Sequence, residues 1–282
     1  DHRRQGRGLS DRTGRRERPP LTNPASERVR SVRGLSRRSA RRRTGRVLVE
    51  GPQGVHEAVR FTPERVVDLY ATAEAAERYA EFVEPARERG IFVHEVTDEV
   101  LAAMCDADTP QGTVAVVDWS PSSLEGVLAA DPRLLVLLTH VRDPGNLGTV
   151  IRGADAAGAD AVLVSDASVD VTSPKVVRST AGSLFHLPVV TGLAIESTLA
   201  TLGEAGVRRL AADGGGVATI DDTDLAGPHV WVMGNEAWGL EEATLAACDE
   251  AVRVPIHGHA ESLNLAMATT ICLYASARQQ RA

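Results

Sequence analysis

The sequence predicts an α/β protein in which a small α/β module precedes a doubly wound α/β domain. Three observations carry this expectation. Leu134–Leu138 is an unbroken apolar run of strand length, the mark of a strand buried on both faces. Behind it, short apolar runs alternate with helical segments up to the end of the chain. Ahead of it, between Val47 and Val117, shorter runs alternate in the same way.

In order along the chain, residues 47–49 read as a strand closed by Glu50-Gly51-Pro52, followed by a helix near 55–60. Strands are expected at 66–69, 91–93 and 114–117, with a helix over 74–89. Ser120-Pro121-Ser122-Ser123 through Asp131-Pro132 punctuates the chain like a connection between domains, with a helical turn at Leu124–Ala129. Further strands fall at 134–138, 161–164, 189–190, 207–211, 229–233 and 251–254. Helices fall at 147–157, 175–181, 195–204 and 241–247. The last helix, 263–277, is apolar on nearly every face and must be buried, in a core or against a partner subunit. The expected division is a basic, flexible arm over 1–41, a module over 42–118, a linker over 119–132 and a second domain over 133–282.

The hydrophobic content of 43% can supply a core. No apolar stretch has the length of a membrane span, and the N-terminal arginines are not followed by the apolar region of a secretory signal. A cytoplasmic location is expected. Cys105, Cys248 and Cys272 are too scattered for a disulfide framework or a zinc site. The net charge of −7 is unevenly spread: residues 1–46 hold 16 Arg against 4 acidic residues. Residues 1–20 have almost no apolar content and read as a disordered start, whereas 28–46 read as a polyanion contact.

Several common chemistries lose their usual signatures. The one lysine, Lys175, precedes Val176 and follows no glycine loop, so a Walker-A motif is absent. No G-x-S-x-G, H-E-x-x-H or C-x-x-C occurs. Gly214-Gly215-Gly216 has Thr219 where G-x-G-x-x-G needs its third glycine, so a nicotinamide fingerprint is not met.

In open α/β sheets, ligands bind outside the carboxyl ends of the strands. That directs attention to three loops. The first strand of the second domain is followed by His140-Val141-Arg142-Asp143-Pro144-Gly145-Asn146-Leu147-Gly148 and a helix that carries Arg152. Asn146 serves equally as a helix N-cap, and Arg152 equally as a surface residue. Met233 is followed by Gly234-Asn235-Glu236-Ala237-Trp238-Gly239, where two glycines let backbone approach a ligand or simply make a tight turn. The last strand is followed by Pro255-Ile256-His257-Gly258-His259-Ala260-Glu261-Ser262-Leu263-Asn264. Ser262 can cap the final helix, and Asn264, as a buried amide, needs hydrogen-bond partners. His257, His259 and Glu261 have no further ligand cluster to join, so no metal is expected.

Together these loops resemble the SpoU (TrmH) branch of the SPOUT RNA methyltransferases, from about Leu134 to Ala277. Asn146, Gly148 and Arg152 resemble N-x-G-x-x-x-R; Met233, Gly234, Glu236 and Gly239 resemble M-G-x-E-x-x-G. Pro255, Gly258, Ser262, Leu263 and Asn264 resemble P-x-x-G-x-x-x-S-L-N. Each pattern is weak alone, but three in order, each after a strand, make a specific match. Trp238 departs from the small or charged residue expected at its place. The first module is similar to the family's substrate-binding module, a fold like certain ribosomal proteins. Arg42-Arg43-Thr44-Gly45-Arg46-Val47-Leu48-Val49-Glu50-Gly51 and Thr109-Pro110-Gln111-Gly112 carry that likeness.

The resemblance implies a SPOUT domain with a deep trefoil knot, a homodimer with its active site at the subunit interface, and S-adenosylmethionine-dependent 2′-O-methylation of a ribose in RNA. 23S ribosomal RNA is the expected substrate; a transfer RNA, or RNA binding without catalysis, is the alternative. Arg152 is implied to hold the phosphate beside the target hydroxyl, and Asn146, Glu236, Ser262 and Asn264 to complete the site. The cofactor is expected on Leu210, Gly234, Asn235, Val254, Ile256 and Leu263. RNA is expected on Arg178 and on Arg42, Arg43 and Arg46, and no metal is implied.

Overall fold

The computed structural model describes residues 19–282, so the disordered start expected over 1–20 lies, but for its last two residues, outside the described chain. The first domain is built on strands β1 (Arg46–Glu50), β2 (Val66–Ala71), β3 (Phe92–Glu95) and β4 (Thr113–Asp118) in the order β1-β4-β2-β3. β4 pairs antiparallel with β1 and β2, and β3 joins β2 in parallel. Its helices are α1 (Glu27–Gly34), α2 (Arg38–Thr44), α3 (Pro52–Phe61), α4 (Ala73–Arg78), α5 (Ala80–Glu88) and α6 (Asp98–Met104). Strand alternation assigns the faces. Val47, Val49, Leu69, Ala115 and Val117 point to α3 and α5. Leu48, Tyr70, Val114 and Val116 point to α1 and α6.

The arm expected as flexible up to residue 41 is therefore folded over much of its length. Ser26 caps α1, its hydroxyl accepting from the Val29 amide at 3.3 Å, and Val29, Val32 and Leu35 are buried under the sheet. The helix expected over 74–89 is two helices, broken at Tyr79; the break turns Phe82, Val83 and Ala86 into the core and stacks Tyr79 on Phe82. The short helix α6 gives little periodic signal and was not foreseen.

After α7 (Leu124–Ala129) comes a seven-stranded sheet of β5 (Leu134–Leu138), β6 (Ala161–Ser165), β7 (Val189–Leu193), β8 (Arg208–Ala212), β9 (Ala218–Thr219), β10 (His229–Met233) and β11 (Glu250–Arg253). Every pairing is parallel, in the order β7-β6-β5-β10-β8-β11-β9. The intervening helices are α8 (Pro144–Ala157), α9 (Pro174–Ser179), α10 (Ile195–Glu204), α11 (Glu242–Ala246) and α12 (Leu265–Gln280). The unbroken apolar run of β5 has its reason here. Leu134, Val136 and Leu138 pack toward α8, α9 and α12, while Leu135 and Leu137 pack toward α7 and α10. Burial of each such side chain contributes about 2 kcal/mol.

The final helix starts at Leu265, two residues later than expected, and is not buried all round. Leu265, Ala266, Thr269, Cys272, Leu273 and Ser276 face the core, while Met267, Ile271 and Tyr274 form an exposed apolar stripe. Inside, Trp231 Nε1 donates to Ser276 Oγ at 2.8 Å, and His229 Nε2 lies 2.7 Å from the same oxygen. His229 Nδ1 faces the Gly227 carbonyl, which can only accept, so Nδ1 carries the proton and Nε2 accepts.

Among the described residues, polar side chains join the domains at three places, the first of them including Arg38, which lies 3.5 Å from Asp170. Arg41, 5% exposed, donates to Asp170 at 2.8 Å and to Thr172 at 3.0 Å, and also to the carbonyls of Leu35 and Ser36. His186 places one ring nitrogen 2.9 Å from Glu57 and the other 2.7 Å from Asp155. Arg178 pairs with Glu50 and, at 3.4 Å, with Asp106.

Candidate active site

The chain runs outward from β5 through β6 to β7, then returns to lay β10 and β8 on the other side of β5. That reversal is the place where α/β sheets bind ligands. The three loops singled out above leave the carboxyl ends of β5, β10 and β11 at this place.

Asp143, not Asn146, caps α8, accepting from the Asn146 amide at 2.7 Å. The Asn146 side chain is thereby left to join the other two loops. Its Nδ2 donates to Glu236 at 3.3 Å, and its Oδ1 accepts from Asn264 Nδ2 at 2.9 Å. Glu236 also accepts from the backbone amides of Arg142 at 3.3 Å and Asp143 at 3.2 Å. Asn264 Oδ1 caps α12, accepting from Ala266 at 2.9 Å and Met267 at 3.2 Å. One chain of amides and a carboxylate thus ties together the three motifs. Two expectations change with it. Asn264 is exposed rather than buried, and it takes the capping role offered to Ser262, which lies exposed outside the helix.

The β10 loop is rigid. Asn235 and Gly239 exchange both backbone hydrogen bonds at 2.9 Å. The buried Asn235 side chain donates to the His140 carbonyl at 2.6 Å and accepts from the Ala237 amide at 2.8 Å. A Cβ on Gly234 would lie 2.4 Å from the Gly239 carbonyl carbon, so the close crossing requires glycine. His140 itself holds a left-handed φ of 50°, a strained conformation at the mouth of the site.

The expected cofactor residues divide. Gly234, Val254, Ile256 and Leu263 sit at the sheet's carboxyl edge, with Ile256 40% exposed. Among the described residues, 254–263 make no backbone hydrogen bonds, so these amides and carbonyls remain available to a ligand. Leu210 stands apart from that open edge: it lies inside β8, fully buried and paired with Trp231 and Glu250 on its two sides. Asn235 uses its side chain to hold the loop.

Arg152 is exposed on α8 and makes no hydrogen bond or ion pair among the described residues. Arg178 is engaged by two carboxylates, which argues against a free phosphate contact. Arg42 and Arg43 are exposed on α2, while Arg46 pairs with Asp118 at 3.0 Å. Burial pushes the thiols of Cys105 and Cys272 up to about 12 and that of Cys248 up to about 11, which removes them as nucleophiles. Among the described residues, no group of three or more His, Cys, Asp or Glu is placed to hold a metal ion. Nor is any described helix long and apolar enough to cross a membrane.

Residues 133–274 match the model of the SpoU rRNA methylase family. The chain belongs to the SpoU rRNA methylase family. Residues 26–115 match an MRM3-like substrate binding domain, which takes in α1 and α2. A SpoU relative from Bacillus subtilis (strain 168), a 23S rRNA (guanosine(2553)-2′-O)-methyltransferase, is 32% identical over 90% of this chain and 97% of its own. An AdoMet-bound rRNA methyltransferase from Sinorhizobium meliloti superposes with a TM-score of 0.79 at 31% identity, covering 92% of this chain and 97% of that one. The SpoU methyltransferase AviRb from Streptomyces viridochromogenes, in complex with AdoMet, gives 0.78 at 31% identity, covering 91% and 99%. SpoU membership gives the three loops a common purpose. Sequence reasoning missed Arg41 and Asp170, because no local pattern marks a pair 129 residues apart.

Proposed function

We propose that this chain methylates a ribose 2′-hydroxyl of 23S ribosomal RNA, with S-adenosylmethionine as donor. The observation that carries the reading is the Asn264–Asn146–Glu236 chain, which ties the three SpoU motifs together at the start of α8, the helix that carries Arg152, exposed and without an ion pair among the described residues. Bound S-adenosylmethionine supplies an activated methyl group. The residues that would hold it are Gly234, Val254, Ile256 and Leu263, through backbone groups at the sheet edge. They fit a nucleoside because that edge combines free backbone donors and acceptors with exposed apolar surface.

The protein's own work is alignment. Arginine stays charged and is a poor base. Arg152 holds the phosphate next to the target ribose in a bidentate contact, and its charge favours release of the hydroxyl proton to water as the oxygen takes the methyl group. Arg30, Arg33, Arg37, Arg42 and Arg43 are exposed on and beside α1 and α2 and form no ion pair with a described residue. They supply the basic ridge that grips RNA.

The exposed Met267, Ile271 and Tyr274 stripe supports a homodimer formed through α12. Light scattering of a Met267→Lys/Ile271→Lys double variant tests it: a monomer is expected, and an unchanged mass overturns it. The lodging of β10 between β5 and β8 supports a trefoil knot in the second domain. Pulling the chain from both ends should leave a contour shorter than a linear chain, and full extension would exclude the knot. A substrate in the ribosome supports a cytoplasmic site of action. The deciding experiment is mapping of 2′-O-methyl groups in 23S rRNA with and without the gene; identical maps would reject the substrate.

A further inference from the structure

Trp238 is the one large apolar side chain of the β10 loop that faces outward, and it is 52% exposed. Exposure of an indole is unfavourable, yet the loop is built to present it. The two Asn235–Gly239 backbone hydrogen bonds and both hydrogen bonds of the buried Asn235 amide fix the turn on which it stands. Two residues before it, Glu236 belongs to the Asn264–Asn146–Glu236 chain. The guanidinium of Arg142 lies 5.9 Å from the centre of the indole ring, and the Arg142 backbone donates to Glu236. Arg142 forms no ion pair among the described residues, nor does Arg152. A flat ring presented on a hydrogen-bonded turn, with one cation over it and a second on α8, the helix that follows Arg142, is the pattern that receives a nucleobase and its phosphate, not an apolar protein surface.

The geometry points to Trp238 as a stacking platform for a base of the RNA substrate, adjoining the ribose that is methylated. Arg142 covers part of the ring and is free to follow the phosphate of the same nucleotide. Trp238 is a positioning residue: it fixes the nucleotide so that the neighbouring hydroxyl meets Arg152. This rests on the RNA methyltransferase reading above.

The test compares wild type, Trp238→Ala and Trp238→Phe on a 23S rRNA fragment, and on the same fragment with an abasic nucleotide beside the target. Trp238→Ala should raise KM for the intact RNA about tenfold, with cofactor affinity by calorimetry and the urea midpoint unchanged. Trp238→Phe should recover most of the loss. On the abasic fragment, wild type and Trp238→Ala should become equal. An unchanged KM in Trp238→Ala, or a loss that persists on the abasic RNA, overturns the inference. Intrinsic fluorescence separates the two readings without catalysis. Added RNA should quench wild type more than Trp238→Phe. Equal quenching with RNA bound rejects the platform alone, whereas failure of wild type to bind any RNA rejects the function on which it rests.

Discussion

Asn264 Nδ2 donates to Asn146 Oδ1 at 2.9 Å, joining the start of α12 to the start of α8 across 118 residues of sequence. The same Asn264 side chain caps α12 through its oxygen. The two duties can be separated. Asn264→Ala should lose both, costing about 1 kcal/mol in urea unfolding and most of the methyl transfer. Asn264→Asp keeps the cap and places a carboxylate against the Asn146 oxygen. Stability should return while transfer stays low. Recovery of activity in Asn264→Asp would show that the contact with Asn146 is unimportant.

Arg152 touches no described polar partner, so its removal should cost the fold little. Arg152→Ala should abolish transfer of tritiated methyl to RNA while leaving the unfolding midpoint and the calorimetric affinity for S-adenosylmethionine near wild type. Near-normal transfer would sink the assignment.

Arg41 and Asp170 form a largely buried ion pair between the domains. Burial alone would raise the Asp170 carboxyl, but hydrogen bonds from Thr172 and Arg41 outweigh it and hold the group below its usual range. Arg41→Ala leaves that half-buried carboxylate with only the exposed Arg38 at 3.5 Å and the Thr172 hydrogen bonds, and also strips the Leu35 and Ser36 carbonyls of a donor. The expected cost is about 3 kcal/mol. Asp170→Asn should cost less, and the two changes together less than their sum. Strict additivity in urea titrations would refute the pairing.

His229 gives the fold an acid limit. Burial, the largest influence, lowers its basicity, so the unfolded chain takes up a proton that the folded chain refuses. The associated stability is fully present above the unfolded value of about 6.5 and is lost as pH falls through the lower folded value. Unfolding free energy should therefore decline on acidification below about pH 6.5. His229→Gln should flatten that slope; an identical slope would acquit His229.

The sheet of the second domain was legible because strands buried on both faces leave unbroken apolar runs, as at Leu134–Leu138. α1 was hidden by composition: arginines surround Val29 and Val32, and only the packed sheet shows that these two valines suffice to seat it. The motif residues could be named from their order, but not their roles. Asp143 outcompeted Asn146 for the α8 cap because its carboxylate meets the amide three residues on, which spacing alone does not decide. The depth of Leu210 in the sheet could not be read from sequence, because a strand's carboxyl end is set by its pairing, and β8 continues to Ala212. Arg178 looked free because Glu50 and Asp106 come to it from another domain.

Arg41, His186 and Arg178 fasten the same boundary at three separate points. A single fastener leaves a swivel and two leave a hinge; three leave neither. These contacts set the span from the arginine ridge to Arg152 in the folded molecule. On the proposed function, selection of the ribose falls to the fold of the RNA that presents it at that reach.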